Sequence, residues 1–297
     1  MRVFVTGATG FVGSAVVREL LSAGHRVLGL ARSDDGAARV ESFGAEPVRG
    51  SLEDVDGLRR AAASADAIVH TGFNHDFSRF AENCVLDRRA IDAMGEALIG
   101  TDKPFLVTSG LALAKAGELG TETDAALPTS DDYPRASEPA ALAIAARGVR
   151  AAVVRLPPSV HGEGDHGFVP MLIDLARRTG VSAYVGDGAN AWAGVHRLDA
   201  ARVYRLAVET GASGGPYHAV ADAAVPFRDI ATVIGRRLGI PVVSKTGDEA
   251  AAHFGWLGKF TGLNMGASSE RTRGRLGWEP REPGLLADID SAAYFPD

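Results

Sequence analysis

The stretch MRVFVTGATGFVG, residues 1–13, decides how the rest of the chain is read. Residues 2–6 are a short run rich in β-branched and aromatic side chains, which suits a strand buried in a parallel sheet. Glycines follow at Gly7, Gly10 and Gly13, and over residues 11–21 the apolar positions take up helical spacing. Strand, glycine turn and helix in that order form the setting a dinucleotide fingerprint needs, which a bare GxxGxxG does not. Gly7 permits the tight turn, Gly10 lets backbone approach a pyrophosphate, and Gly13 lets the helix lie close on the strand. The helix N-terminus then offers free N–H groups and a positive dipole end to the phosphates. Gly7, Thr9, Gly10, Phe11, Val12 and Gly13 are the expected cradle.

Strand and helix patterns alternate outward from this unit. Strand patterns at 25–30 and 46–49 flank helical spacing at 37–43. The series continues with a helix at 58–63, a strong strand at 67–71, a long helix at 81–98 and a strand at 105–108. An Ala-rich helix at 138–147 and a strand at 151–156 complete it. This alternation predicts an α/β fold, a doubly wound parallel sheet of the Rossmann type with helices on both faces. The pattern loosens after Pro157, where Gly and Pro interrupt short elements, as at 186–188 and 214–216. The expected division is a dinucleotide-binding domain over 1–157 and a smaller substrate lobe over 158–297, with some crossover to the sheet. Ligands of such sheets bind beyond the carboxyl ends of the strands. Chemistry is therefore expected in the loops after Thr6, Leu30, Thr71, Thr108 and Leu156. The polar, turn-rich stretch 116–132 reads as a long loop of the kind that serves as a lid.

Composition narrows the partners. With 46% hydrophobic and 23% charged residues the chain reads as an ordinary soluble globular protein, and its net charge of -6 implies no polyanion partner. Nucleic acid is thus not expected. Cys84 is the only cysteine, which excludes an internal disulfide and a cysteine-rich metal site. Met1 leads directly into the first strand, so neither a secretory leader nor a membrane anchor is expected, and a cytoplasmic location fits. His161 and His166 flank GEGD, but no third ligand is evident and no metal is expected.

Several segments together resemble the extended short-chain dehydrogenase/reductase family, also called the epimerase/dehydratase family. VTGATGFVG resembles its cofactor fingerprint, and Val69-His70-Thr71-Gly72 resembles its segment beside the cofactor. FLVTSG, residues 105–110, resembles the strand that carries its catalytic Ser or Thr. VVRLPPSVHGEGDHGFVP resembles the segment whose backbone holds the nicotinamide amide, which implicates Leu156, Pro157, Pro158 and Val160. YVGDGANAWAGVHRLDAAR, with His196 and Asp199 in the usual places, and FGWLGKF with SSERTRGRLGWEPR resemble its C-terminal motifs. The resemblance covers nearly the whole chain and implies a nicotinamide cofactor beside Thr71, Gly72 and Thr108. It names no substrate.

The end of the second strand bears on cofactor choice, because a carboxylate there binds ribose hydroxyls whereas an Arg accommodates the extra phosphate. The run here is Leu30-Ala31-Arg32-Ser33, with no carboxylate at the strand end. Arg32 can pair with a phosphate bidentately and Ser33 can add a hydroxyl donor. NADP(H) is therefore favoured over NAD(H), although Asp34 and Asp35 follow at once. Ser51 and Leu52 lie in a segment resembling the one that packs on adenine, with Ser51 in place of the usual Asp.

A typical family member uses a Ser or Thr, a Tyr as general acid, and a Lys four residues after the Tyr. No YxxxK occurs here. If Tyr133 is the Tyr, the Lys position is Ser137; if Glu138 is the family's Glu, the two positions are Ser130 and Pro134. The chain has only Lys103, Lys115, Lys245 and Lys259, and Lys115 alone lies in an active-site loop. The expected catalytic set is Ser109 (or Thr108) to orient a carbonyl, with Tyr133 or Arg135 supplying the proton or the positive field. Tyr133 would need its phenol pKa drawn toward neutrality. The family's third residue in the strand-five run would be Gly110, and His70, His161 and His166 are the reserve proton donors. The expectation is an NADP(H)-dependent oxidoreductase that reduces a carbonyl of a small organic substrate, acting as a monomer or homodimer. Two alternatives stay open: an NADP(H)-binding sensor without turnover, and a sugar-nucleotide epimerase/dehydratase.

Overall fold

The computed structural model describes residues 1–113 and 118–296. Lys115 lies outside the described residues, as does part of the expected lid. The first half runs β1 (Arg2–Thr6), α1 (Phe11–Ser22), β2 (Arg26–Ala31), α2 (Asp34–Ser42), β3 (Glu46–Arg49), α3 (Val55–Ser64) and β4 (Ala67–His70). It continues with α4 (Phe80–Glu96), β5 (Pro104–Gly110), α5 (Ser137–Ala145) and β6 (Arg150–Leu156). Two helices begin earlier than their apolar spacing suggests, and caps explain both. Ser33 Oγ accepts from Gly36 N at the start of α2, and Asp54 accepts from Gly57 N at the start of α3.

The second half supplies β7 (Ser159–His161), α6 (Phe168–Thr179), β8 (Ser182–Val185), β9 (Ala191–His196), α7 (Arg197–Glu209) and β10 (Tyr217–His218). Then come β11 (Asp222–Pro226), α8 (Phe227–Leu238), β12 (Val242–Lys245), α9 (Gly247–Phe254) and α10 (Gly258–Thr261). Seven strands form one parallel sheet in the order β3-β2-β1-β4-β5-β6-β10. Side chains alternate across it. Val3, Val5 and Leu106 pack on one face with α1 and α7, through Val16, Val203, Tyr204 and Ala207. Phe4, Ile68 and Val107 pack on the other with Leu58, Ile91 and Ile144. A separate core around Trp192, Phe227 and Leu285 holds the C-terminal lobe, where β7, β9 and β11 form a small sheet. Among the described residues, no helix is long and apolar enough to cross a membrane.

One buried ionic cluster ties the last strand into place. Arg155 on β6 donates to both oxygens of Glu138 at 2.9 and 2.6 Å, and its Nη1 lies 3.1 Å from His218 Nε2 on β10. His218 Nδ1 lies 2.7 Å from the carbonyl of Ser268. Nδ1 therefore carries the proton and Nε2 accepts from Arg155, which makes His218 neutral. Burial pushes its pKa down in the same sense.

Candidate active site

The glycine turn has the shape a dinucleotide requires. Gly7 has φ +68°, and a Cβ there would stand 2.8 Å from Gly72 Cα and N. A Cβ on Gly13 would overlap the Gly7 carbonyl oxygen, so α1 can lie on the turn only because Gly13 has none. Gly10 N donates to Gly7 O at 2.8 Å and starts α1, which has neither a side-chain cap nor an acidic residue in its first turn. The first N–H groups of α1, around Phe11, Val12 and Gly13, thus face out of the turn with no internal side-chain acceptor. Thr9 and Val12 are half-buried beside them. Thr71 Oγ1 donates to Thr6 O at 2.7 Å, and Gly72 N donates to Thr6 Oγ1 at 3.1 Å, which seats the β4 loop on the β1 turn. These residues fit a nicotinamide dinucleotide.

At the end of β2, Arg32 is exposed and, among the described residues, makes no hydrogen bond or ion pair. Asp34, its acidic neighbour, pairs instead with Arg49 at 3.0 Å. Ser33 Oγ accepts the capping bond and keeps its own proton free for a further acceptor. Ser51 Oγ accepts from Glu53 N at 3.3 Å and holds the Glu53 carboxyl below its ordinary range, while Leu52 packs on the sheet core. Thr108 Oγ1 donates to the His70 carbonyl and accepts from the Tyr204 hydroxyl, both at 2.7 Å. Leu156 O accepts from Leu111 N at 2.7 Å, and Pro157 and Pro158 join β6 to β7, where Leu156 and Val160 pack on the first core.

The residues expected at the reacting end lie on β5 and just before α5. Ser109 is 5% exposed on the strand face opposite Thr108, and its hydroxyl has no partner among the described residues. Gly110 ends the strand with open space where a side chain would project. Tyr133 precedes α5 in a tight turn closed by Ser130 N to Tyr133 O at 2.9 Å, and its phenol oxygen is likewise unbonded among the described residues. Its pKa departs from the expected direction. Burial raises it, and the nearby Arg135 guanidinium offsets this only in part. The phenol therefore stays protonated at neutral pH.

Ser137, the residue four places after Tyr133, belongs to a buried chain of hydrogen bonds. Arg135 Nε donates to Ser137 Oγ at 3.1 Å, and Ser137 donates to Asp87 Oδ2 on α4 at 2.6 Å. Asp87 Oδ1 lies 2.9 Å from His70 Nε2, and His70 Nδ1 lies 2.7 Å from Thr6 Oγ1. The Asp87 carboxylate can only accept, so Nε2 carries the ring proton toward it, and Nδ1 accepts from the Thr6 hydroxyl, whose oxygen accepts from Gly72 N. Each bond satisfies a buried group, and together they join the cofactor turn to Arg135. The guanidinium is thereby fixed 4.2 Å over the Phe73 ring.

The reserve histidines separate. His70 is consumed by this chain. His161 is fully buried, pairs with Asp288 at 2.8 Å through Nδ1 and packs 5.5 Å from His196, so it cannot reach a ligand at the mouth. His166 stays exposed, 5.6 Å from the Phe11 ring. Two groups escape sequence reasoning. Asp87 sits on the buried stripe of α4 with Cys84, Ala90 and Ile91, where an acid demands a partner, and that misfit was the available signal. His75 stands in the loop after β4, 5.3 Å from Phe73, and feels Arg135; burial first and that charge second lower its pKa. A loop histidine carries no periodic signal.

A family model described as NAD dependent epimerase/dehydratase family matches residues 3–221, and the chain belongs to that family. An uncharacterized protein of Schizosaccharomyces pombe is 49% identical over 296 residues, covering 99% of this chain and 100% of its own. A ketoreductase of Stigmatella aurantiaca that acts on 4-hydroxy-2-methyl-3-oxo-4-farnesyl-3,4-dihydroquinoline-1-oxide is 27% identical over 278 residues, 86% of this chain and 80% of its own. Among solved structures, a dTDP-glucose 4,6-dehydratase double mutant from Streptomyces venezuelae with NAD bound superposes with a TM-score of 0.76. It is 22% identical and covers 99% of this chain and 96% of its own, a likeness that speaks for the fold alone.

Proposed function

We propose that the chain is an NADP(H)-dependent oxidoreductase that reduces the carbonyl of a small organic molecule. One observation carries the reading. A glycine turn shaped for a dinucleotide follows β1, Ser109 near the end of β5 has an unbonded hydroxyl among the described residues, and Arg135, near the Tyr133 phenol, is fixed over Phe73 in the loop after β4. The ketoreductase relative supports the reaction type. The unpaired Arg32 beside the free Ser33 proton supports a 2′-phosphate on the cofactor.

When bound, the nicotinamide supplies the hydride. Ser109 orients the carbonyl oxygen, and Tyr133 gives its proton to the alkoxide that forms. A raised phenol pKa does not obstruct this step, because a phenol remains far more acidic than an alcohol. It does leave Tyr133 a poor base for the reverse oxidation at neutral pH. Arg135, held by Ser137, contributes positive field to the developing oxyanion. Ser109→Ala, Tyr133→Phe and Arg135→Ala are assayed singly for NADPH oxidation with aldehydes, ketones and enones. Loss of the general acid is expected to lower turnover by about 10²–10⁴-fold. Near-wild-type turnover in all three, with normal NADPH binding, refutes the assignment.

A second reading, cofactor binding without turnover, is favoured by one observation. Ser137, at the Lys position in the Tyr133 register, is committed to Asp87. NADPH binding with no oxidation across the panel would select it.

A further inference from the structure

We propose that the cleft between sheet and C-terminal lobe takes an uncharged aromatic or conjugated aldehyde or ketone, held by an aromatic belt in which Phe77 and Trp256 set the specificity. The fate of the ligand rests on the reductase reading above; its binding does not.

The belt is built from two parts of the chain. The loop after β4 contributes Phe73 and Phe77, joined through Phe80 at 6.0 and 5.9 Å. The C-terminal lobe contributes Trp256 and Phe260, joined through Phe168 at 6.3 and 4.9 Å. The halves meet where Phe77 stacks on Trp256, centroids 5.5 Å apart and planes inclined by 29°. Both rings remain open to solvent, Phe77 at 40% and Trp256 at 47%, whereas Trp192 and Trp278 are buried. Two large rings left exposed in contact, one from the loop after β4 and one from the C-terminal lobe, mark a ligand surface better than a packing surface.

Among the described residues, a guanidinium lies over the belt at one end only. Phe73 carries the Arg135 guanidinium on its face and the His75 ring at its edge. Arg135 is adjacent to Tyr133 and tethered to Ser137. His75 also edges Phe77 at 6.1 Å, and beyond it the wall to Trp256 is formed by aromatic rings. A ligand matching this gradient has one hydrogen-bond acceptor, its carbonyl, at the Arg135 end and a flat apolar body along Phe73, Phe77 and Trp256. Among the described residues, Arg135 is the one cation over a ring of the belt, and its Nε is already given to Ser137. A diphosphate would therefore lie against rings without charge to balance it, which disfavours a nucleotide sugar here. Entry requires the Phe77–Trp256 stack to part.

Trp256 is the exposed tryptophan of three, so its emission reports occupancy without turnover. The full chain is titrated with 4-nitrobenzaldehyde, butanal and UDP-glucose, with Trp256→Phe as the emission control, and NADPH oxidation is followed in parallel. Saturable quenching by 4-nitrobenzaldehyde, absent with UDP-glucose, is expected. Phe77→Ala and Trp256→Ala, both surface changes, are titrated by calorimetry and are expected to weaken 4-nitrobenzaldehyde binding at least tenfold more than butanal binding. Equal effects on both aldehydes, or quenching by UDP-glucose alone, overturns the proposal. Aromatic binding with no NADPH oxidation sustains this site and refutes the reductase reading. Oxidation with butanal but no aromatic binding does the reverse.

Discussion

Arg32→Ala is the sharpest test of cofactor choice, and its size follows from the local charges. Among the described residues the guanidinium makes no hydrogen bond or ion pair and only a minor charge interaction with Glu53, so the substitution removes chiefly what Arg32 gives to a ligand. A charge-assisted hydrogen bond contributes about 1.5–3 kcal/mol. Arg32 is exposed, so screening places the effect near the lower end, about tenfold in Kd for about 1.4 kcal/mol. NADPH is expected to bind about ten- to thirtyfold more weakly at low salt, and less so at high salt, with NADH nearly unchanged. Arg49→Ala is the companion. It frees Asp34 from its 3.0 Å pair and turns a carboxylate loose beside the phosphate position, so NADPH alone is expected to weaken, by about two- to threefold on the scale of an exposed ion pair. Calorimetric titration of both cofactors with both variants reads these numbers. An equal loss for NADPH and NADH, or no loss for NADPH, refutes a phosphate-reading role for Arg32.

Three further outcomes are expected. Gly13→Ala forces a methyl against the Gly7 carbonyl, and cofactor affinity and thermal stability should both fall; wild-type values for both would mean the turn is not packed as described. Ser137→Ala strips Asp87 of one donor and Arg135 of its seat, for a loss of about 1–3 kcal/mol in urea unfolding; unchanged stability would mean those bonds do not form. His218 binds its second proton less readily folded than unfolded, because burial and Arg155 oppose it, so stability should fall as pH drops below about 6.5. The slope has a ceiling of about 1.4 kcal/mol per pH unit for each such group. His218→Gln should flatten it, and denaturant curves at pH 7.5 and 5.5 that coincide for the native protein would disprove the assignment.

The doubly wound sheet was legible because its signals are local. The glycines at 7, 10 and 13 and the β-branched runs of β1 and β4 lie within a few residues of what they specify. The starts of α2 and α3 were also written locally, in Ser33 and Asp54, but apolar spacing does not see a cap. The candidate site was less legible because its bonds cross long stretches of chain. Ser137 and Asp87 are fifty residues apart, and the Thr6–His70 bond spans sixty-four. The pKa of Tyr133 went the other way because sequence neighbours advertise the charge of Arg135 and say nothing of burial, the larger effect.

The sheet does not close in the order in which it is synthesised. Strand β10, which completes the β6 edge, and helix α7, which covers the α1 face, both come from the second half of the chain. A nascent chain that has just finished β6 thus presents Val3, Val5, Val16 and Leu106 without the Val203, Tyr204 and Ala207 that cover them. Their cover arrives roughly fifty residues later, a delay of several seconds at about 5–20 residues per second. During that interval the emerging domain carries an open strand edge and a bare apolar face, the surfaces that chaperones bind and that aggregation exploits.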